Sequence, residues 1–251
     1  MKLPPTVRFL ERDWLSSNGV LFDGAESTVL VDSGYDKHAP LTLALVRHSL
    51  GGRPLDLLVN THLHSDHCGG NAILQREYGC RTLIPAASAA AVRDWDPQRL
   101  TFADVRQRCE RFGFDGTYDD GERLQLGGLS WQAIASPGHD PESLVLYNAD
   151  EALLISADAL WEHGFGLIFP ELDGGSGFAQ QRAVLERIAT LTVRCVLPGH
   201  GPAFTDVAAA LERSFSRLER LEADPERNAR HAVKVLLKFT LLEHESLPLQ
   251  D

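Results

Sequence analysis

The sequence predicts an α/β (α+β) protein with a helical C-terminal extension, on three observations. Strand-like and helix-like segments alternate through the first half of the chain. Two hairpin patterns follow in the middle. From Asp206 onward the apolar residues fall at helical spacing.

Taken in order, Val20 to Phe22 and Thr28 to Val31 read as strands, the second closed by Asp32-Ser33-Gly34. His38 to Leu50 reads as a helix stopped by Gly51-Gly52. Leu55 to Asn60 is a short apolar run between turn signals, the pattern of a buried strand. A histidine-rich loop leads into a helix from Gly70 to Tyr78, closed at Gly79, and then a strand from Arg81 to Ile84. Asp94 to Asp120 is polar and aromatic with weak periodicity; it reads as irregular, with one helix near Asp104 to Arg111. Glu122 to Leu126 and Leu129 to Ala135 alternate and are joined by Gly127-Gly128, a two-residue hairpin. Ser143 to Tyr147 and Ala152 to Ile155 form a second hairpin about Asn148-Ala149-Asp150. A helix from Phe178 to Leu191 leads to a last strand, Arg194 to Leu197. Two amphipathic helices then fit, broken near Pro225 and ending near Leu242. The expected division is a main domain over residues 1–205 and a helical extension over 206–251.

With 251 residues, 43% apolar and 24% charged, the chain can build one sizeable core. No apolar run approaches the roughly 20 residues that span a bilayer. Met1-Lys2-Leu3-Pro4-Pro5 lacks the apolar stretch of a secretory signal, so a cytoplasmic location without a membrane partner is expected. A formal net charge of −11 argues against nucleic acid as a partner and leaves a small-molecule substrate. Cys68, Cys80, Cys109 and Cys195 are scattered without a C-x-x-C pair, and reduced thiols are expected.

The chemistry concentrates in Thr61-His62-Leu63-His64-Ser65-Asp66-His67-Cys68-Gly69-Gly70, which leaves the end of a buried strand. His62 and His64 are two residues apart, so in extended backbone both rings point to one side. Asp66 and His67 follow where the chain turns into a helix, and the glycines permit a tight turn and close backbone approach. Three imidazoles and a carboxylate in one place suit zinc, and also iron, manganese or nickel. Three further residues sit on loops just after strands: His139 in Ser136-Pro137-Gly138-His139-Asp140, Asp158 in Ser156-Ala157-Asp158-Ala159-Leu160, and His200 in Pro198-Gly199-His200-Gly201. Any one of them alone reads as an ordinary turn residue; with the first segment they read as a set.

That set resembles the metallo-β-lactamase superfamily of hydrolases, in the order and spacing of His62-Leu63-His64-Ser65-Asp66-His67, Gly138-His139, Ala157-Asp158 and Gly199-His200. The resemblance covers roughly residues 8 to 205. It implies a four-layer αββα sandwich and two divalent metal ions, zinc first, with iron or manganese as alternatives. It also implies that one ion takes His62, His64 and His139, that the other takes Asp66, His67 and His200, and that Asp158 bridges them. Two divalent ions sharing a water lower its pKa toward neutrality and stabilise the charge that develops when it attacks a carbonyl or phosphorus. Asp66 is the candidate catalytic residue, orienting the water or shuttling a proton. Asp32 and Asp140 are candidate partners of the ligating imidazoles, with a turn cap as the other reading of each.

By that resemblance Asp158 argues against the true β-lactamases, which lack a carboxylate there, and is shared with glyoxalase II, the lactonases and the phosphodiesterase branches; the helical C-terminal appendage with basic residues resembles that of the glyoxalase II-like branch. Lactone-hydrolysing relatives carry a tyrosine three residues after that aspartate; here it is Trp161, which donates a hydrogen bond but is no acid. His163 is a candidate donor near the metals, with a solvated loop histidine as the other reading. Arg227, Arg230, His231, Lys234 and Lys238 fall at helical spacing, and Arg230 and Lys234 are candidates to hold an anionic group of a thioester substrate; a solvated face is the other reading. Trp14, Tyr35, Phe165 and Phe169 are placed near the mouth of the site as candidate lining aromatics. A small thioester or ester is the expected substrate. The alternatives are a phosphodiesterase or nuclease, a lactonase, a mononuclear-iron persulfide dioxygenase and a non-catalytic sensor.

Overall fold

The computed structural model describes residues 2–243 except 103, 104, 106 and 173. Its first sheet begins with β1 (Val7–Leu10), β2 (Gly19–Asp23) and β3 (Thr28–Val31), paired antiparallel. Helix α1 (Ala39–Leu50) crosses over to β4 (Leu57–Val59), which pairs parallel to β3. One turn of helix, α2 (Ser65–Cys68), and then α3 (Asn71–Tyr78) lead to β5 (Arg81–Pro85). After α4 (Ala89–Asp94), β6 (Gly116–Tyr118) closes the six-stranded order β1-β2-β3-β4-β5-β6.

The second sheet holds β7 (Arg123–Leu126), β8 (Leu129–Ala135), β9 (Leu144–Asn148) and β10 (Leu153–Ala157), all antiparallel neighbours. Helix α5 (Phe178–Ala189) crosses to β11 (Cys195–Pro198), parallel to β10, in the order β11-β10-β9-β8-β7. Two long helices follow, α6 (Val207–Ala223) and α7 (Glu226–Glu243).

Strand alternation builds the layers. Phe22, Val29, Val31 and Val59 point inward and meet Trp131, Leu146, Ile155 and Leu197 of the other sheet. Their neighbours Leu21, Leu30 and Leu58 point outward and are covered by Val46 and Leu50 of α1 and Leu74 of α3. On the far side Leu154 and Val196 are covered by Val184, Leu185 and Ile188 of α5 and Leu218 of α6. The result is the four-layer αββα sandwich, each fully buried Leu or Phe contributing about 1.5–3 kcal/mol of hydrophobic stabilisation. Among the described residues no helix is long and apolar enough to cross a membrane.

Three elements escape the sequence pattern: β1, β6 and α4. At 4, 3 and 6 residues they are too short to show a period. The helix expected near Asp104 to Arg111 begins outside the described residues, and the described stretch from Gln107 to Arg111 carries no helix. The tail divides near Pro225 as expected. Its second helix does not stand apart from the sandwich: Phe239 packs against Trp14 and Tyr35, with ring centroids 5.1 and 5.9 Å away.

Candidate metal centre

Each of the seven side chains named as candidate ligands is delivered from the end of a strand to one spot. His62 and His64 follow β4, and Asp66 and His67 lie on α2. His139 follows β8, Asp158 follows β10 and His200 follows β11. Two backbone features make the approach possible. A Cβ on Gly69 would stand 2.1 Å from the backbone nitrogen of Asp36, and a Cβ on Gly199 would stand 2.3 Å from Asp158 Oδ1. Ala157, just before Asp158, holds a left-handed φ of 45°, a strained conformation of the kind that concentrates at functional sites.

The nitrogens face one another. His64 Nδ1 is 3.2 Å from His62 Nε2 and 2.8 Å from His139 Nε2. Asp158 lies between the two halves of the cluster, with Oδ1 3.3 Å from His67 Nε2 and Oδ2 3.4 Å from His139 Nε2. His200 Nε2 is 3.1 Å from Asp66 Oδ2. Two rings are oriented from behind: His67 Nδ1 is 2.9 Å from Asp32 Oδ2, and His139 Nδ1 donates to the Leu167 carbonyl at 2.5 Å. Asp32 also accepts from the backbone N–H and the hydroxyl of Thr61 at 2.9 and 2.7 Å, so of its two sequence readings the structure favours the imidazole partner. Asp140 lies 3.3 Å from His64 Nε2 through Oδ2, and its Oδ1 also accepts from the Glu142 N–H at 2.7 Å.

Burial and charge divide the imidazoles into two kinds. Burial pushes His64 and His139 down to about 4 and His62 well below its usual range, with neighbouring histidines adding to the effect on His62 and His139. These three are neutral at pH 7. At His67 and His200 burial acts in the same sense but is outweighed, chiefly by the Asp158 carboxylate, and both pKa values rise. Burial also opposes the charge on Asp66 and Asp158, but their cationic histidine neighbours win and hold both carboxyls below their ordinary range.

These donors fit metal ions. His67 Nε2 is buried in the cluster without a hydrogen-bond partner, 3.3 Å from Asp158 Oδ1, while His64 turns Nδ1 to the cluster and Nε2 to Asp140. Among the described residues three trios have donor atoms within 4.8 Å of one another: His62, His64 and His139; Asp66, His67 and His200; and His62, His67 and Asp158. The first two coincide with the sets expected above, and the third puts Asp158 at the junction. Imidazole nitrogen and carboxylate oxygen are the donors that zinc, iron and manganese accept.

A cavity of about 170 Å³ opens over the cluster. Trp161 lines it, and its indole N–H donates to Asp158 Oδ1 at 3.3 Å and to the Ala157 carbonyl at 3.2 Å. Trp14 and Phe169 line it as expected; Tyr35 and Phe165 do not, both being buried in cores. His163 is turned away, its side chain 79% exposed beside Glu162. Arg230 and Lys234 are exposed and outside the cavity wall, and Arg230 is held by Asp224 and Glu226 at 2.9 Å each. The face α7 presents is instead His231, Val235 and Phe239, one residue on from the cationic stripe, because the apolar pair is what can be buried against Trp14 and Tyr35. Burial, then the charges of Arg217 and Lys234, lower the His231 pKa. Val105 and Gln107, from the stretch expected to carry a helix near Asp104 to Arg111, also line the wall; nothing in the sequence marks them as lining residues.

Residues 12–200 match the Metallo-beta-lactamase superfamily, and the chain belongs to that superfamily. A hydroxyacylglutathione hydrolase of Rhodopseudomonas palustris (strain HaA2) is 33% identical over 131 residues, 52% of this chain and 43% of that protein. The match spans less than half the length of that relative. The mitochondrial persulfide dioxygenase of Bos taurus is 27% identical over 197 residues, 78% of this chain and 63% of that one. Among solved structures, a metallo-beta-lactamase family protein from Thermus thermophilus superposes with a TM-score of 0.71 at 23% identity, covering 88% of this chain and 82% of its own, a likeness of fold.

Proposed function

We propose that this chain is a metal-dependent hydrolase of a small thioester or ester. Two divalent ions, zinc in the first instance, would be held by His62, His64 and His139 and by Asp66, His67 and His200, with Asp158 shared between them. The observation that carries the reading is the convergence of five histidines and two aspartates from strand ends, with the buried His67 Nε2 left without a hydrogen bond beside Asp158. When bound, such ions supply an acidified water and Lewis-acid polarisation of the carbonyl.

The chain's own residues do the rest. Asp32 and the Leu167 carbonyl fix His67 and His139 with Nε2 turned to the site. Asp66 lines the cavity floor, where it accepts a proton from the attacking water and returns it to the leaving thiol or alcohol. Water oxygen joins the carbonyl carbon, the C–S or C–O bond breaks, and an acid and a thiol or alcohol are released. The hydroxyacylglutathione hydrolase relative supports a thioester as substrate.

The test is the purified chain, stripped with a chelator and reloaded, with metal content measured beside turnover of thioesters, lactones, phosphodiesters and a cephalosporin. Two zinc ions per chain and thioester or ester hydrolysis, both lost in His64→Ala, are the expected result. The likeness to a persulfide dioxygenase favours one second reading, oxygen chemistry at a single iron. One iron per chain with no hydrolysis would replace the first reading by the second.

A further inference from the structure

The cavity over the cluster has two unlike sides. Its floor carries the charge, in Asp66, Asp158 and the histidines. One wall is apolar, formed by Trp14, Leu167, Phe169, and Val235 and Phe239 of α7, while Thr101, Gln107 and His231 supply polar atoms elsewhere on the lining. Among the described lining residues there is no lysine, arginine or glutamate. The cations of α7 are absent from the lining: Lys234 is exposed, and three others have partners of their own. Arg227 and Arg230 bind Asp224, and the Lys238 ammonium sits 3.9 Å from the centre of the Trp14 ring. A carboxylate or phosphate pressed against the apolar wall, away from Thr101, Gln107 and His231, would lose its hydration without a compensating partner. An apolar group would instead release water from the aromatic faces. Size narrows the choice further. An apolar cavity of roughly 150 Å³ in another protein holds one benzene ring; this one measures about 170 Å³ with its charged floor included, which sets one ring as the upper limit.

We propose that the acyl group this site accepts is uncharged and apolar, no larger than a phenyl ring or a chain of about five carbons. It would be seated between Trp14, Phe169 and the Val235–Phe239 stripe of α7. The assignment rests on the hydrolase reading above and names its substrate class. It makes the α7 stripe, and not the cationic stripe beside it, the part of the extension that selects substrate.

The experiment separates binding from turnover by using neutral amides, which the zinc-loaded protein is asked only to bind. Acetamide, butyramide, hexanamide and phenylacetamide are titrated against tryptophan fluorescence, with succinamate as the charged counterpart of butyramide. The dissociation constant should fall about fourfold per added methylene as far as hexanamide. Phenylacetamide should bind at least as tightly as hexanamide, and succinamate about tenfold more weakly than butyramide. Val235→Glu should weaken hexanamide binding about tenfold. Val235→Thr keeps the shape and the fold, and should show about threefold. Affinity that is flat with chain length, or a preference for succinamate, overturns the assignment. Matching p-nitrophenyl esters are run in parallel. Chain-length-dependent amide binding without ester hydrolysis would retire the hydrolase reading and keep the apolar pocket.

Discussion

Replacing Asp32 should damage the fold and the metal centre in separable amounts. The carboxylate is buried and takes three hydrogen bonds: the Thr61 N–H at 2.9 Å, the Thr61 hydroxyl at 2.7 Å and His67 Nδ1 at 2.9 Å. Alanine leaves the Thr61 N–H and His67 Nδ1 without a partner, and leaves the Thr61 hydroxyl only His62 Nδ1, 3.2 Å away. An unsatisfied buried group costs about 1–3 kcal/mol, and removing one member of a buried charged pair costs about 3–5 kcal/mol. The Thr61 hydroxyl can rotate to relieve part of this, so a loss of about 4 kcal/mol is expected from the contacts. Position 32 also holds φ at 59°, which costs alanine about 1 kcal/mol more. Against a total stability of roughly 5–15 kcal/mol, that is a large share. Asp32→Asn tolerates the same φ and keeps an acceptor for the Thr61 N–H, but faces His67 without a charge; about 1–2 kcal/mol should go. Urea unfolding of chelator-treated protein measures both losses, and competition with a chromophoric chelator measures zinc affinity. The asparagine variant should bind zinc about 10- to 100-fold more weakly, because His67 is no longer held in register. An alanine variant within about 1 kcal/mol of the parent, or an asparagine variant with unchanged zinc affinity, would refute the reasoning.

Three further outcomes are expected. Gly199→Ala sets a Cβ 2.3 Å from Asp158 Oδ1 and 2.9 Å from both the Ala157 carbonyl and His67 Cε1. It should cost about 1–3 kcal/mol by overpacking and lower the metal bound per chain; two ions per chain in that variant would contradict the geometry. Trp161→Phe removes the indole N–H from Asp158 and Ala157 together with part of the ring, and should cost about 1–3 kcal/mol by chemical denaturation; an unchanged stability would contradict the contact. The metal-free protein should be most stable near pH 6.5, the ordinary histidine value. His62, His64 and His139 have lowered pKa values, so as pH falls below 6.5 toward about 4 the unfolded chain takes up protons that they do not, and stability drops. Asp140, raised by burial, opposes this at the acid end. His67 and His200 have raised values; their contribution is complete below 6.5 and is lost as pH climbs through the folded values. Unfolding midpoints that change in one direction only across this range would count against the assignment of the two kinds of histidine.

Much of this protein was legible in its residues because the relevant signals are local. The alternation of Leu21 with Phe22 and of Leu30 with Val31 belongs to a strand buried on both faces, whatever lies beyond it. His62, His64, Asp66 and His67 fall in one hexapeptide after a buried strand, and His139, Asp158 and His200 each sit just past another, so convergence follows once the strands lie side by side. The bearing of α7 was decided otherwise. His231, Val235 and Phe239 form one stripe, Val233, Leu237 and Leu241 another, and Arg230, Lys234 and Lys238 a third, all at four-residue spacing. Periodicity alone does not say which of them meets the site, since a helix is symmetric about its axis until something is buried against it. Tyr35 and Trp14, roughly two hundred residues away in sequence, settle it by taking Phe239, which leaves Val233 and Leu237 in solvent and turns Arg230 and Lys234 away from the cavity. Asp32 follows the same rule: its residue type and turn position are local, while its bond to His67 exists only because β3 and α2 are brought together in space. Chemistry that resides in spacing can be read from one strand end at a time; chemistry that resides in which surfaces exclude water waits for the packed chain.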